Sequence, residues 1–280
     1  MEEFPHSRVF EHSLLKIAAK RAMLRKSIGQ ITTLALGSSH GDFGFDPEFC
    51  PGAFNLCSRS QDLRHSNAIH RRIAPIMPKL RNVVVFYSVF SPGSVLEQSK
   101  GELDMCLALH EILDLNLTYS DPYLVAHAGK LRDQYAQYRP EVEGRLGFLP
   151  KLQKPFFPES YGAERRAQEH LKLNGRREAN LYLVSLLLRA QRLGHQVLVV
   201  IPPAREDYRR GCGAPSGVLF RGLAEIRSEL EVEAPFGVLD LFADPDFRPE
   251  HFGDFDHLLP LGAGTEILSR KVYEALATPS

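Results

Sequence analysis

Two kinds of hydrophobic pattern alternate along this chain. Residues 31–36, 53–56, 83–87, 196–201 and 236–240 are short apolar runs, mostly free of charge and in several cases closed by Gly, Ser or Pro, which is how buried strands read. The run Val83-Val84-Val85-Phe86-Tyr87 is the clearest of them. Residues 9–27, 61–73, 102–113, 162–193, 219–230 and 265–276 instead repeat their apolar positions at helical spacing, the fourth stretch in one or two pieces. Strands alternating with helices predict an α/β fold: a three-layer α/β/α sandwich around a central parallel sheet of about five strands, joined by right-handed crossovers.

The first helix carries an apolar stripe, Leu14, Leu15, Ala18 and Ala22, and a basic face, Lys16, Lys20, Arg21, Arg25 and Lys26. The stripe is expected to lie on the domain and the basic face in solvent, with an acidic membrane surface as the alternative partner for that face. Residues 1–29 are thus an N-terminal helix packed on the core, and residues 30–280 a single α/β domain. Within that domain, residues 91–158 combine weak strand signals with several prolines and tyrosines. They predict a helical insertion or lid where specificity could reside.

Composition narrows the classes of function. Lys+Arg and Asp+Glu balance at 34 each, so nothing draws the whole chain to nucleic acid. Cys50, Cys57, Cys106 and Cys212 lack the paired spacing of a zinc site, and four cysteines in 280 residues predict reduced thiols rather than a disulfide framework. The N-terminus shows no signal pattern and no apolar run reaches the roughly 18 residues that cross a bilayer. A cytoplasmic protein without a transmembrane segment is the expectation.

Candidate chemistry sits in two short segments far apart. Gly37-Ser38-Ser39-His40-Gly41 follows the first strand, where the carboxyl ends of a parallel sheet gather ligands. Asp254-Phe255-Asp256-His257-Leu258 precedes the last helix. A serine hydroxyl needs a base within hydrogen-bond reach to become a nucleophile, and the base needs a carboxylate to fix its tautomer. Ser39, His257 and Asp254 offer those three roles in the chain order Ser…Asp…His.

The order and the D-x-x-H spacing resemble the SGNH (GDSL-type) hydrolase superfamily. Gly37-Ser38-Ser39 stands where that family commonly has Gly-Asp-Ser, in a Gly-Ser-Ser form that looks like relatives handling acyl groups on bacterial envelope polymers. Asp254, His257 and Leu258 match the last block, with Gly262 and Gly264 opening the closing helix. Residues 55–62 resemble the second block, whose oxyanion-donating glycine falls near Ser60. The third block, G-x-N-D, departs: after Tyr87 the chain reads Ser88-Val89-Phe90-Ser91, with Phe90 at about the place of the oxyanion asparagine. The resemblance implies an SGNH-like, flavodoxin-like sheet, Ser39, Asp254 and His257 as catalytic residues, and backbone donors near Ser39 and Ser60 as the oxyanion hole. Candidates for substrate contact are Ser38, His40, Asn55, Ser88 and Arg205.

Simpler readings hold elsewhere. Asp42 and Asp46 read as a solvated turn, because the later ligands of a calcium loop are absent. His65 and His70 are five apart, off the i, i+4 face of a paired ligand site. Gln61 and Asp62 read as capping groups. No metal is expected. The function implied is acyl transfer through an acyl-serine, by an esterase or O-acetyltransferase acting on an acylated small molecule or carbohydrate. No bound cofactor is needed, and acetyl-CoA is the natural donor for a transferase. The competing readings are a degenerate SGNH-like module that binds a glycan or assembles with a biosynthetic enzyme, and a flavodoxin-like phosphate binder using the 37–41 loop.

Overall fold

The structure, a computed structural model, describes residues 8–130, 132–133, 137–152 and 162–277. Residues 1–7, and residues 131, 134–136 and 153–158 of the expected insertion, lie outside the described residues.

Five strands, β1 (Thr33–Gly37), β2 (Ala53–Asn55), β3 (Asn82–Phe86), β4 (Gln196–Ile201) and β5 (Gly237–Asp240), form one sheet in the order β2-β1-β3-β4-β5, and every pair is parallel. The fold is α/β, as the alternation of patterns predicts. Successive side chains of a strand point to opposite faces, and here both faces are covered. Leu34, Leu36, Val83, Val85, Val197 and Val199 enter one apolar core, while Ala35, Val84, Phe86, Leu198 and Val200 enter a second. That double burial is why the strands read as unbroken apolar runs rather than as apolar/polar alternation.

Helices α1 (Arg8–Ser27), α3 (Leu63–Ile73) and α4 (Leu103–Leu113) supply Ile17, Ile69 and Leu107 to the first core. The second core is closed by the last helix, which contributes Leu268 and Val272. The short helix α2 (Ser39–Gly44) follows β1 directly, and α5 (Pro122–His127) lies in the expected insertion, capped by Asp121 with Pro122 at its first position. Residues 162–193 form two helices, α6 (Ala163–Asn174) and α7 (Asn180–Arg192), separated by Gly175 and by Arg177 at φ 60°. Then come α8 (Glu206–Cys212), α9 (Ser216–Leu219), α10 (Arg221–Glu229) and α11 (Ala263–Ala277). No described helix is long and apolar enough to cross a membrane.

Two expectations about charge fail. The basic face of α1 is not all solvated: Lys16 and Lys20 are buried and both meet the carboxylate of Asp42, which has no exposed surface. Lys20 Nζ also donates to the carbonyls of Cys57 (2.6 Å) and Asn55 (3.2 Å), and the buried Arg21 donates to the carbonyl of Ile112 at 2.9 Å. Arg25 and Lys26 are exposed, as expected. Nor do Asp42 and Asp46 form a solvated turn. Asp46 is buried, accepts from the backbone N–H of Glu48 at 3.0 Å, and pairs with Arg145. Helical spacing cannot show that a carboxylate more than twenty residues onward folds over a lysine.

The topology prepares a crevice. From β1 the chain passes to β2 on one side and returns to β3 on the other, so β1 and β3 flank the switch point at the carboxyl edge of the sheet.

Candidate active site

β1 ends in Gly37 at φ 134°, beside Phe86 of β3. A Cβ at residue 37 would lie 2.8 Å from the Phe86 Cβ, so only glycine lets β1 turn out of the sheet here. Ser38 then takes the extended N-cap conformation and Ser39 is the first residue of α2. The N–H at a first helical position has no acceptor inside the helix. Gly41 seats α2 on the sheet, because a Cβ there would come within 2.5 Å of both Cys57 Sγ and the Phe86 ring.

Asn55 fastens the same helix. Its Nδ2 donates to the carbonyls of Gly41 (2.8 Å) and Phe45 (2.7 Å), and its Oδ1 accepts from the N–H of Cys57 at 3.0 Å. The expected substrate contact is therefore a wholly buried brace.

The histidine comes from the loop before α11. Asp254 Oδ1 accepts the N–H groups of Asp256 (3.0 Å) and His257 (2.8 Å), an Asx-type turn that lifts the imidazole out of the loop. Asp254 Oδ2 lies 3.0 Å from His257 Nδ1. The D-x-x-H spacing thus lets one carboxylate shape the turn and hold the ring it presents. His257 Nε2 lies 2.7 Å from Ser39 Oγ, across 218 residues of sequence.

A second carboxylate reaches the same ring nitrogen. Asp256 is buried, with Oδ1 3.1 Å from His257 Nδ1 and Oδ2 3.3 Å from His40 Nε2. His40 Nδ1 is 3.0 Å from Ser38 Oγ, and the His40 ring stacks on His257 at 4.8 Å. The D-x-x-H spacing by itself gives Asp256 no role. The signal was there, an acidic residue immediately before the histidine with no capping use of its own.

Ser39 and His257 open on a cleft of about 370 Å³, in the range of small-molecule sites. Ser60 and Phe90 line it from one side, and Arg166, Glu169 and His170 of α6 from another. The sequence pattern of these α6 residues predicts only a helix. Ser60 has φ 58°, the left-handed conformation that favours glycine. Phe90 stands on the wall, its ring 4.7 Å from that of His170.

The other residues expected at the substrate face elsewhere. Ser38 and His40 are buried behind the serine–histidine pair, bonded to each other. Ser88 is buried, its N–H donating to Ser91 Oγ at 2.9 Å. Arg205 is bound through two bonds to Asp207, at 2.8 and 2.6 Å, and does not line this cleft. Asp62 does cap α3, accepting from the N–H of His65. Tertiary folding has turned several polar candidates inward to hold the backbone.

The electrostatics centre on His257. Burial disfavours the charged ring, but the carboxylates of Asp256 and then Asp254 outweigh it and raise the imidazole to about 10. Asp256 is held well below the usual carboxylate range: burial opposes its charge, and His257 followed by His40 overcomes that. Burial lowers His40, and takes His170 down to about 3. His40, Asp256 and His257 are also the one group of three metal-ligating side chains among the described residues. His257 is hydrogen-bonded to Ser39 and Asp254 and His40 to Ser38, while both Asp256 oxygens are buried without a hydrogen-bond partner among the described residues and meet the two rings at ion-pair distance.

No family model and no curated protein matches the sequence. Among solved structures, one described as "a putative platelet activating factor from Streptococcus pneumonia" shares 12% identity at a TM-score of 0.43, over 93% of this chain and 91% of that one, a likeness too distant to bear on the site.

Proposed function

We propose that this chain is a serine-dependent acyl-transfer enzyme of SGNH type, acting as an esterase or O-acetyltransferase on an acylated carbohydrate. The observation that carries the reading is the 2.7 Å contact of Ser39 Oγ with His257 Nε2 at the cleft, with His257 Nδ1 on Asp254. In this reading Ser39 Oγ attacks the ester or thioester carbonyl while its proton passes to His257 Nε2. The tetrahedral oxyanion is met by backbone N–H groups at Ser39 and Ser60. Collapse breaks the bond to the leaving oxygen or sulfur, which takes the proton from His257 and leaves an acyl-serine. Water or a sugar hydroxyl then gives up its proton to His257 and releases the acyl group by the reverse steps. No cofactor takes part, and acetyl-CoA serves as donor in the transferase version.

The lining of the cleft is mixed. Arg166, Glu169, Gln98 and Ser99 bring polar groups to it beside the apolar Phe90, Val95, Leu96 and Leu173, which suits an acyl group on a hydroxyl-rich carrier. The test is turnover of p-nitrophenyl acetate by wild type, Ser38→Ala, Ser39→Ala and His257→Ala, with mass spectrometry after a fluorophosphonate probe. Hydrolysis and labelling lost in Ser39→Ala and His257→Ala but kept in Ser38→Ala is the expected result. Labelling that persists in Ser39→Ala overturns the assignment.

One observation favours the non-catalytic reading, a glycan-binding or assembly module. Phe90 stands at about the place of the family's oxyanion asparagine, and a missing donor costs about 2.7–4 kcal/mol in the transition state. Equal background rates and no labelling in all four proteins is the result that reading predicts.

A further inference from the structure

We propose that Asp256 is a second carboxylate for His257, a positioning residue that holds the imidazole through Nδ1 and ties it, through His40 and Ser38, to the end of β1. The inference rests on the acyl-transfer reading for its consequence but not for its test. A buried carboxylate must find compensation, and the groups around Asp256 leave few ways to supply it. From its own loop come His257 at 3.1 Å and Asp254, which is itself acidic. From α2 comes His40 at 3.3 Å, and from α6 His170 at 3.8 Å with Arg166 farther out. From α8 and the turn before it come Tyr208, whose hydroxyl is 2.6 Å from His170 Nδ1, and Arg205, paired with Asp207.

These groups sort by charge. Burial holds His40 and His170 below the ordinary histidine value, so near neutrality both are uncharged rings. Tyr208 is pushed far up by burial and keeps its proton. Arg205 spends its guanidinium on Asp207. The cation that faces Asp256 directly is therefore His257 in its protonated form.

Geometry places the partners. Ser38 Oγ and His40 Nδ1 are hydrogen-bonded at 3.0 Å, and the other ring nitrogen, Nε2, lies 3.3 Å from Asp256 Oδ2, an ion-pair distance without a hydrogen bond. The hydrogen bond at His257 Nδ1 is to Asp254, at 3.0 Å, and Asp256 Oδ1 faces the same nitrogen at 3.1 Å as an ionic neighbour without a hydrogen bond to it. Two serine–histidine pairs, Ser38–His40 and Ser39–His257, are thus joined at one buried carboxylate, their rings stacked at 4.8 Å. The inner pair has no access to the cleft and cannot react; it fixes where the outer ring stands.

The consequence is a base that carries its proton at neutral pH and is released to act as pH rises. A nearby opposite charge moves a titration by about 1–3 pH units. The experiment is an NMR titration of the histidine ring nuclei in wild type, Asp256→Asn and Asp254→Asn, with His257 assigned by the signal missing in His257→Gln. The acid limb of p-nitrophenyl acetate kcat/KM against pH is measured beside it. In wild type, His257 should titrate well above the ordinary histidine range. In Asp256→Asn the midpoint, and with it the acid limb, should move down by about one pH unit or more. A wild-type His257 with an ordinary midpoint overturns the proposal, and needs no variant to fold. So does a raised midpoint that falls in Asp254→Asn and stays put in Asp256→Asn. A merely structural Asp256 would lower stability and leave the midpoint alone. Absence of turnover alongside a shifted midpoint refutes the acyl-transfer reading and leaves the role of Asp256 standing.

Discussion

Asp42→Asn keeps the shape of a buried side chain and removes its charge, and the surroundings set the cost. In the native protein one carboxylate without exposed surface faces the ammonium groups of Lys16 and Lys20, the latter at 2.8 Å. Breaking a buried ion pair from one side costs about 3–5 kcal/mol, because the remaining charge has lost both water and counter-charge. Two features moderate that figure. Lys20 keeps two carbonyl acceptors, at Cys57 and Asn55. Lys16 is already lowered to about 8, by burial acting against the attraction of Asp42, so it can shed its proton for about 1.4 kcal/mol per pH unit.

The expected loss is therefore near the lower end, about 3 kcal/mol at pH 7. With a urea dependence of about 3 kcal/mol per molar for a chain of this size, the unfolding midpoint should fall by about 1 M. The pH dependence has a definite sign. Lys16 binds its proton less tightly folded than unfolded, so the wild type gains stability from this group as pH rises between about 8 and the ordinary lysine value of 10.5. Without Asp42 the Lys16 ammonium gives up its proton at still lower pH, so the penalty should shrink as pH rises from 7 toward about 8 and stay level above that. Equilibrium urea unfolding followed by circular dichroism at pH 7 and pH 9.5 measures both. An unchanged midpoint at pH 7, or a larger loss at pH 9.5, refutes the argument that α1 is fastened to α2 by buried charge.

Other outcomes follow from single positions. Ser60 sits at φ 58°, where an L-residue is strained by roughly 1–2 kcal/mol. Ser60→Gly should raise the melting temperature while retaining any turnover, since the backbone donor is unchanged; a lower melting temperature would show that the Ser60 side chain stabilises the turn. The four cysteines are unpaired and buried, and burial pushes the Cys50 thiol up to about 12 and Cys212 to about 11. Native protein at pH 8 should therefore react with a disulfide reagent at only a trace of the rate seen in urea. Rapid labelling of one or more native thiols would contradict the burial.

The lesson of the sequence is uneven, and particular residues show why. Strands β3 and β4 declare themselves because both faces are buried, and a run such as Val83 to Phe86 has little other use. The spacing of Asp254 and His257 is equally legible, since one turn of backbone brings the carboxylate to its ring. Helix α2 is hidden because Gly37 and Gly41 read locally as a tight turn; Gly41 is there because Cys57 and Phe86 leave no room for a Cβ.

Local pattern thus determined the α/β class, the parallel sheet and the two segments that carry the candidate chemistry, because those depend on neighbours within a few residues. Only the tertiary structure decided that Ser39 meets His257, that Lys16 and Lys20 turn inward to Asp42, that Asn55 and His40 brace rather than bind, and that Asp256 joins Asp254 at one ring. Each of these is a contact between residues far apart in sequence or a question of which way a polar side chain faces. A one-dimensional pattern carries neither, because burial of a charge depends on whether its partner arrives with it.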